Sequence, residues 1–332
     1  MTSGVLQGSC LAPLLFVIFI NDRPRVVKHL LKLFADDSKL IGIIKNDNDL
    51  TSFQEDVDAL TLWATDWQML FHPDKCKLME VSKKKILNNC PQITMLNNDM
   101  ISRHILSSTT LEKDLGVNLS SDMNFDQHIS QITLKANRIL GQLKRTFKYW
   151  TMSSFKTLYT AFVRPHLEYA SQVWSPSKKK TIKQIEKIQR RATKLVPSLK
   201  DLDYHSRLSM LNLTTLEVRR KRGDLIQFYK FVNFYNNINW HKGYKRSNFT
   251  TQTGPSSGLR RNSQNLARPQ LTTWKHRESF YLNRTIPHWN ALPSYVVDSK
   301  SINQFKNRLD HHLESTSTNF AVESNRLLNI HY

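Results

Sequence analysis

Hydrophobic spacing changes character near residue 120, and that change constrains the fold more than any other feature of the chain. Ahead of it, apolar residues come in runs of strand length, such as "KLMEVS" (77–82), "PQITML" (91–96) and "DLGVNL" (114–119), set between Asn-rich turns. Beyond it they recur every three or four residues, as one face of a helix requires. Ile129, Ile132, Ala136, Ile139, Leu143 and Phe147 form one such stripe, Ile182, Ile185 and Ile188 lie on a second, and Leu216 to Val232 carries a third. One earlier helix also fits, over about 48–70, where Leu50, Phe53, Val57, Leu60, Trp63 and Trp67 keep the same step. On this spacing Trp63 and Trp67 are core residues, and Pro73 ends the helix. The pattern predicts an α+β fold: a mixed part over 1–120, a basic helical part over 121–238, a Gly/Ser/Arg-rich flexible linker over 239–273 and a small C-terminal unit over 274–332 with a helix from Ile302 to Leu313.

Charge follows the same division. Residues 1–120 hold 13 Lys and Arg against 14 Asp and Glu, so nearly all of the net charge of +21 falls in the remainder. Lys135, Arg138, Lys144, Arg145 and Lys148 lie beside or opposite the first stripe, and Lys180, Lys183, Lys187, Arg190, Arg191 and Lys194 lie outside the second. A helical surface of one sign suits a polyanion, and nucleic acid is the commonest partner of that kind. Lys144, Arg145, Arg190 and Arg191 are the phosphate-contact candidates, with Trp150 and Trp174 nearby as aromatic platforms for bases. "RRKR" at Arg219 to Arg222 resembles a basic targeting patch inside an amphipathic helix.

A membrane partner is not expected. The greasiest segment, "LAPLLFVIFI" (11–20), is too short to span a bilayer and lacks the basic leader and cleavage site of a signal peptide, so it reads as a buried helix. Cys10, Cys76 and Cys90 are odd in number and without C-x-x-C spacing, which suits a reducing intracellular compartment and argues against a structural metal.

"KLFADDSKL" (32–40) places two adjacent carboxylates, Asp36 and Asp37, between aliphatic runs that read as the strands of a hairpin. Crowded like charges are unfavourable unless a cation neutralises them, and Mg²⁺ takes one or two carboxylates together with phosphate oxygens. A solvated Asp-rich turn has the same appearance, and the pair alone does not decide between them. Near the other end "DHH" (310–312) with Glu314 offers a second metal-like cluster, read here as an exposed helix end.

Larger blocks carry a resemblance. "TSGVLQGSCLAPLLFVIFIND" (2–22), "KLFADDSKL", "WATDWQMLFHPDKCKLMEV" (63–81), "LEKDLGVNLSSDMNF" (111–125), "LYTAFVRPHLEYASQVWSP" (158–176), "IEKIQRRATKLV" (185–196) and "HWNALPSYVVDSKSINQFKNRLDHH" (288–312) resemble, in order, segments of the reverse transcriptases of non-LTR (LINE-type, jockey-like) retrotransposons. The resemblance implies an incomplete reverse-transcriptase palm followed by a mostly helical thumb and C-terminal region. It makes Asp36 and Asp37 the catalytic, Mg²⁺-binding pair of a two-metal nucleotidyl transfer. Gln7, Gly8 and Phe34 would border the nucleotide and template, and Lys75 would lie near the family's palm lysine. Implied partners are an RNA template, a DNA primer, their RNA–DNA hybrid and deoxynucleotide triphosphates.

Leu6, Cys10 and Ala12 depart from the family pattern, which has proline, a small aliphatic and glycine there. The family's first catalytic aspartate lies upstream of the Gly4–Gly8 loop. The chain is therefore expected to be catalytically incomplete, needing the upstream part of the polymerase. The alternative is a non-catalytic nucleic-acid-binding remnant.

Overall fold

The computed structural model describes residues 8–82, 92–97, 99–233, 235, 264, 266 and 279–313. Gln7, Cys90, Glu314 and nearly all of the 239–273 linker lie outside the described residues. The chain divides into two compact units, Met1–Glu112 with Ser120–Met123, and Lys113–Leu119 with Asn124–Tyr332. Both helices and strands are present, the α+β mixture expected from the sequence.

The first unit opens with α1 (Ala12–Ile20) and a short 3₁₀ turn, Arg23–Arg25. β1 (Leu30–Phe34) and β2 (Asp37–Ile41) then form an antiparallel hairpin in the register Leu30↔Ile41 to Phe34↔Asp37. α2 (Asp47–Asp66) starts where the Asn46 side chain accepts from the Asp49 amide, with Asp47 and Asp49 placed favourably in the first turn. It stops earlier than its spacing predicts. Gln68 takes a left-handed φ of +55°, and the Gln68 and Met69 amides donate back to Thr65 and Ala64, a Schellman closure that ends the helix before Pro73 acts. Trp63 is buried while Trp67, stacked on it at 5.9 Å, is exposed, so only the first is a core residue.

Short strands complete this unit. β3 (Lys77–Leu78) pairs in parallel with β6 (Ser107–Ser108), and β4 (Thr94–Leu96) pairs antiparallel with β5 (Arg103–Ile105). Among the described residues, strands join only in pairs. α1 corrects the expectation of a buried helix: Leu14, Leu15, Val17, Ile18 and Phe19 are exposed and only Ile20 is buried, against Trp63 and Ala64. A helix apolar on every side can bury just the side that meets a neighbour.

β7 (Leu111–Asp114) and β8 (Val117–Ser120) make a further hairpin, along which the chain passes from one unit to the other. "DLGVNL" is thus a turn with parts of two strands. Leu115 and Gly116 both have positive φ, as a type I′ turn demands, and the Tyr169 hydroxyl donates to the Leu115 carbonyl.

The second unit is helical. α3 (Asp126–Thr146), α4 (Met152–Leu158), a π-helical turn at Tyr159–Val163, α5 (Arg164–Glu168), α6 (Ser171–Trp174), α7 (Lys179–Thr193), α8 (Tyr204–Met210) and α9 (Leu216–Val232) follow in order. One core runs through them, with Ile129, Ala136, Leu140, Phe155, Val163, Leu167, Trp174, Ile185, Ile188 and Leu216 buried. A second core joins α9 to α10 (Tyr281–Asn290), α11 (Ser294–Val297) and α12 (302–313) around Phe228, Trp289 and Phe305. No helix among the described residues is long and apolar enough to cross a membrane.

Candidate functional site

The hairpin places the carboxylate pair at its tip. Ala35 and Asp36 form the two-residue turn, and Asp37 opens β2 opposite Phe34. Ala35 has φ +50° and Asp36 does not share it, the pattern of a II′ turn, which matches the right-handed twist of the flanking strands. Strand alternation then divides the side chains. Leu33 and Leu40 pack against the apolar clusters under the hairpin and buried Leu31 shares their face, while Lys32, Phe34, Asp37 and Lys39 share the opposite one. Phe34 is 63% exposed, and both carboxylates are exposed without a hydrogen bond or ion pair to any described residue.

Two supports hold the hairpin from behind. Arg23 is only 1% exposed. Its Nη1 donates to Ser38 Oγ at 2.7 Å, its Nη2 reaches Met69 Sδ at 3.3 Å, and its guanidinium lies 4.4 Å from the Trp63 ring centroid. Burial lowers its pKa, partly opposed by neighbouring Asp22. A buried cation thus sits on the residue after Asp37, stacked on an aromatic face and with no carboxylate hydrogen-bonded to it among the described residues. The second support is Asp56 of α2. It accepts from the Lys28 and His29 amides at 2.7–3.0 Å and contacts His29 Nδ1 at 2.7 Å, pinning the chain just ahead of β1.

The remaining candidates separate. Gly8 has φ +91° and open space where a Cβ would stand, so its backbone conformation suits glycine although no neighbour excludes a side chain. Lys75 closes the 3₁₀ turn Pro73–Lys75 and is exposed. Asp310 of "DHH" is ion-paired with Arg222, which removes it from a metal site. Among the described residues no group of three or more His, Cys, Asp or Glu is placed to hold a metal ion, so Asp36 and Asp37 stand as a pair. "RRKR" is likewise occupied: Arg219 binds Glu168, Arg220 is buried, Lys221 pairs with Glu217 and Arg222 with Asp310.

In the second unit Lys144 and Arg145 are exposed in the last turn of α3, and Arg191 is exposed on α7 beside Lys180, Lys183, Lys187 and Lys194. Arg190 is also exposed, but its guanidinium lies 4.1 Å from the Tyr204 ring. The two tryptophans do not act as open platforms. Trp174 is buried with its indole N–H on the Tyr169 carbonyl, and Trp150 packs against the core with its N–H on Phe147. Their neighbour Tyr149 is the most exposed aromatic among the described residues, at 89%.

No family model matches the chain. No solved structure matches it either. Curated proteins do: the probable RNA-directed DNA polymerase from transposon BS of Drosophila melanogaster is 26% identical over 242 residues, covering 67% of this chain and 25% of that protein. The RNA-directed DNA polymerase from mobile element jockey is 26% identical over 57% of the chain in Drosophila melanogaster and 28% identical over 56% in Drosophila funebris, in each case 21% of the relative. The chain is therefore a sequence relative of the RNA-directed DNA polymerases of mobile elements. More narrowly, several of its curated relatives are those of jockey-like and other non-LTR elements, as the motif order implied. It spans a fifth to a quarter of the length of these relatives.

Proposed function

We propose that the chain is a portion of a reverse transcriptase, with an incomplete palm in the first unit and a nucleic-acid-binding thumb in the second. The carrying observation is the exposed Asp36–Asp37 pair at a strained two-residue turn, in a chain related to RNA-directed DNA polymerases. The pair fits Mg²⁺: both groups are hard oxygen donors, adjacent, solvent-facing and without a partner among the described residues. Bound there, the metal supplies charge neutralisation at the reacting phosphate and activation of the primer hydroxyl. This chain's residues do the rest. Asp36 and Asp37 present their carboxylates on a turn too short to wander, Ser38 is held by Arg23, and Phe34 offers an apolar surface beside Asp37 for a sugar or primer end. Gln7 and Gly8 border the nucleotide in this reading.

Two carboxylates are fewer than phosphoryl transfer of this kind uses, and no third joins them among the described residues. Efficient synthesis therefore needs a further carboxylate from another segment. The test is primer extension on an RNA template with Mg²⁺, using the chain alone and the chain supplied with the remainder of a jockey-like polymerase. Incorporation in the supplemented reaction, lost in Asp36→Ala and in Asp37→Ala, supports the reading; incorporation indifferent to both substitutions overturns it.

A second reading rests on the basic excess beyond residue 120 and the open cations of α3 and α7. Here the chain binds RNA or DNA through phosphates without catalysis. Salt-sensitive binding that survives the double Asp→Ala change, with no incorporation under any condition, selects it.

A further inference from the structure

The loop 147–151, between α3 and α4, combines three features that occur together nowhere else among the exposed aromatics described above. The first is display. Tyr149 is 89% exposed, while the residues on either side of it are fixed: the Phe147 amide donates to Leu143, and Trp150 donates its indole N–H to the Phe147 carbonyl at 3.0 Å. Trp150 also packs near Phe147 and Phe155, with ring centroids 6.1 and 6.4 Å away. Immediately after it, Thr151 and Ser154 form a reciprocal capping box that starts α4. A loop tied down at both ends therefore holds one large ring out in water.

The second feature is charge. Lys148 lies in the loop, Lys144, Arg145 and Lys156 flank it, and all four are exposed. No Asp or Glu occurs between Asp126 and Glu168, so along the whole of this stretch every charge is positive.

The third is the chemistry of the ring. An aromatic face gains about 1–3 kcal/mol by stacking on a nucleic-acid base, and it does so only where a base face is free. In a duplex the faces are already covered by neighbouring pairs. Cations without such a ring would grip any phosphate backbone; the fixed, exposed tyrosine adds a preference for strands with unpaired bases.

We propose that the 147–151 loop is a binding site for single-stranded nucleic acid, with Tyr149 stacking on an unpaired base and Lys144, Arg145 and Lys148 contacting the phosphates beside it. The inference rests on the nucleic-acid reading of the second unit and is independent of the catalytic reading of Asp36 and Asp37.

Fluorescence anisotropy of the full chain with labelled oligouridine, oligothymidine and a blunt duplex tests it. Tyr149→Ala is expected to weaken both single strands by about tenfold or more, to leave duplex binding unchanged, and to leave the salt slope unchanged. Tyr149→Phe should bind as the wild type, because stacking uses the ring and not the hydroxyl. Lys148→Ala should instead flatten the salt dependence by about 0.7 for the lost phosphate contact. A circular-dichroism melt of Tyr149→Ala should match the wild type, since the side chain has no packing to lose.

Wild-type binding to single strands that Tyr149→Ala does not change overturns the stacking proposal alone. Equal losses on duplex and single strand, or a Tyr149-dependent preference for phosphatidylserine vesicles over oligonucleotides, overturn it too. A wild type that binds no oligonucleotide or duplex overturns the nucleic-acid reading of the unit as well. Primer-extension results bear on none of these outcomes.

Discussion

Removing the Asp56 carboxylate is expected to loosen the hairpin that carries Asp36 and Asp37 without touching it. Asp56 lies on α2, is 2% exposed, and accepts from two backbone amides, those of Lys28 and His29, as well as contacting the His29 ring. A hydrogen bond to a charged group contributes about 1.5–3 kcal/mol. Taking the low end for the two amides alone gives about 3 kcal/mol for Asp56→Ala, the lower bound of the range for breaking one partner out of a buried pair. At 1.4 kcal/mol per tenfold, the opening equilibrium of the hairpin should rise by about a hundredfold.

Hydrogen exchange followed by mass spectrometry reads this directly on peptides spanning Leu30–Phe34 and Asp37–Ile41. Asp56→Asn, which keeps one acceptor oxygen, should fall between the wild type and Asp56→Ala. Acidity supplies an independent check. Burial alone would raise the Asp56 pKa, but the bonds from the Lys28 and His29 amides and the His29 ring outweigh it, and the carboxyl is held below its ordinary 3.8. A carboxyl depressed in the folded state stabilises fully above its unfolded pKa and loses that contribution as pH falls through the folded value. Wild-type protection should therefore decline below about pH 4, and Asp56→Ala should lack that decline. Unchanged exchange over 30–41 in Asp56→Ala would refute the claim that α2 holds the hairpin through this carboxylate.

Arg23→Met should shift stability by no more than about 1 kcal/mol, because losing the Ser38 bond and the Trp63 contact is offset by no longer burying a cation; Arg23→Glu should cost more than about 3 kcal/mol, both measured by urea denaturation. Glu186 in α7 is buried and accepts from the Tyr204 hydroxyl and the Leu216 amide, so Glu186→Ala should cost about 3–5 kcal/mol and Glu186→Gln distinctly less. Tyr204 is pushed well up by burial and then by Glu186, and spectrophotometric titration should find it ionising earlier in Glu186→Gln. Arg284 binds buried Asp224, whose carboxyl is raised by burial despite that partner. Arg284→Ala should therefore cost about 3–5 kcal/mol at neutral pH, and part of the loss should return as the pH is lowered and Asp224 takes up a proton.

Helices and hairpin were legible because their signals are local. The stripes at 129–147, 179–196 and 216–232 correspond to α3, α7 and α9 within a few residues, and two aliphatic runs around an acidic turn correspond to β1 and β2. Backbone signs were harder to read. Leu115 and Gln68 adopt left-handed conformations that their side chains disfavour, so nothing in their identity marks the turn and the helix stop they make. Leu115 is held by Tyr169, more than fifty residues later, and no window of sequence contains both. α1 failed for the opposite reason: strong hydrophobicity predicts burial only if a covering surface is present.

The same distinction separates the candidate site from its support. Two adjacent aspartates are conspicuous, but what makes their turn a platform is non-local. Arg23 reaches Ser38 across 15 residues, and Asp56 reaches Lys28 and His29 across 28 and 27. In sequence, Arg23 is an ordinary polar residue of a turn and Asp56 a single acid within an apolar helical stripe, and neither identifies its partner. Their burial, together with the absence of a partner on Asp36 and Asp37 among the described residues, puts the fixed charges behind the hairpin and leaves the exposed ones in front. Rigid backing behind exposed like charges is the arrangement expected where those charges must meet a cation from solution in a fixed direction. That expectation joins the hairpin's mechanics to the metal chemistry: loosening the backing through Asp56 should lower incorporation in the supplemented polymerase even though neither Asp36 nor Asp37 is altered.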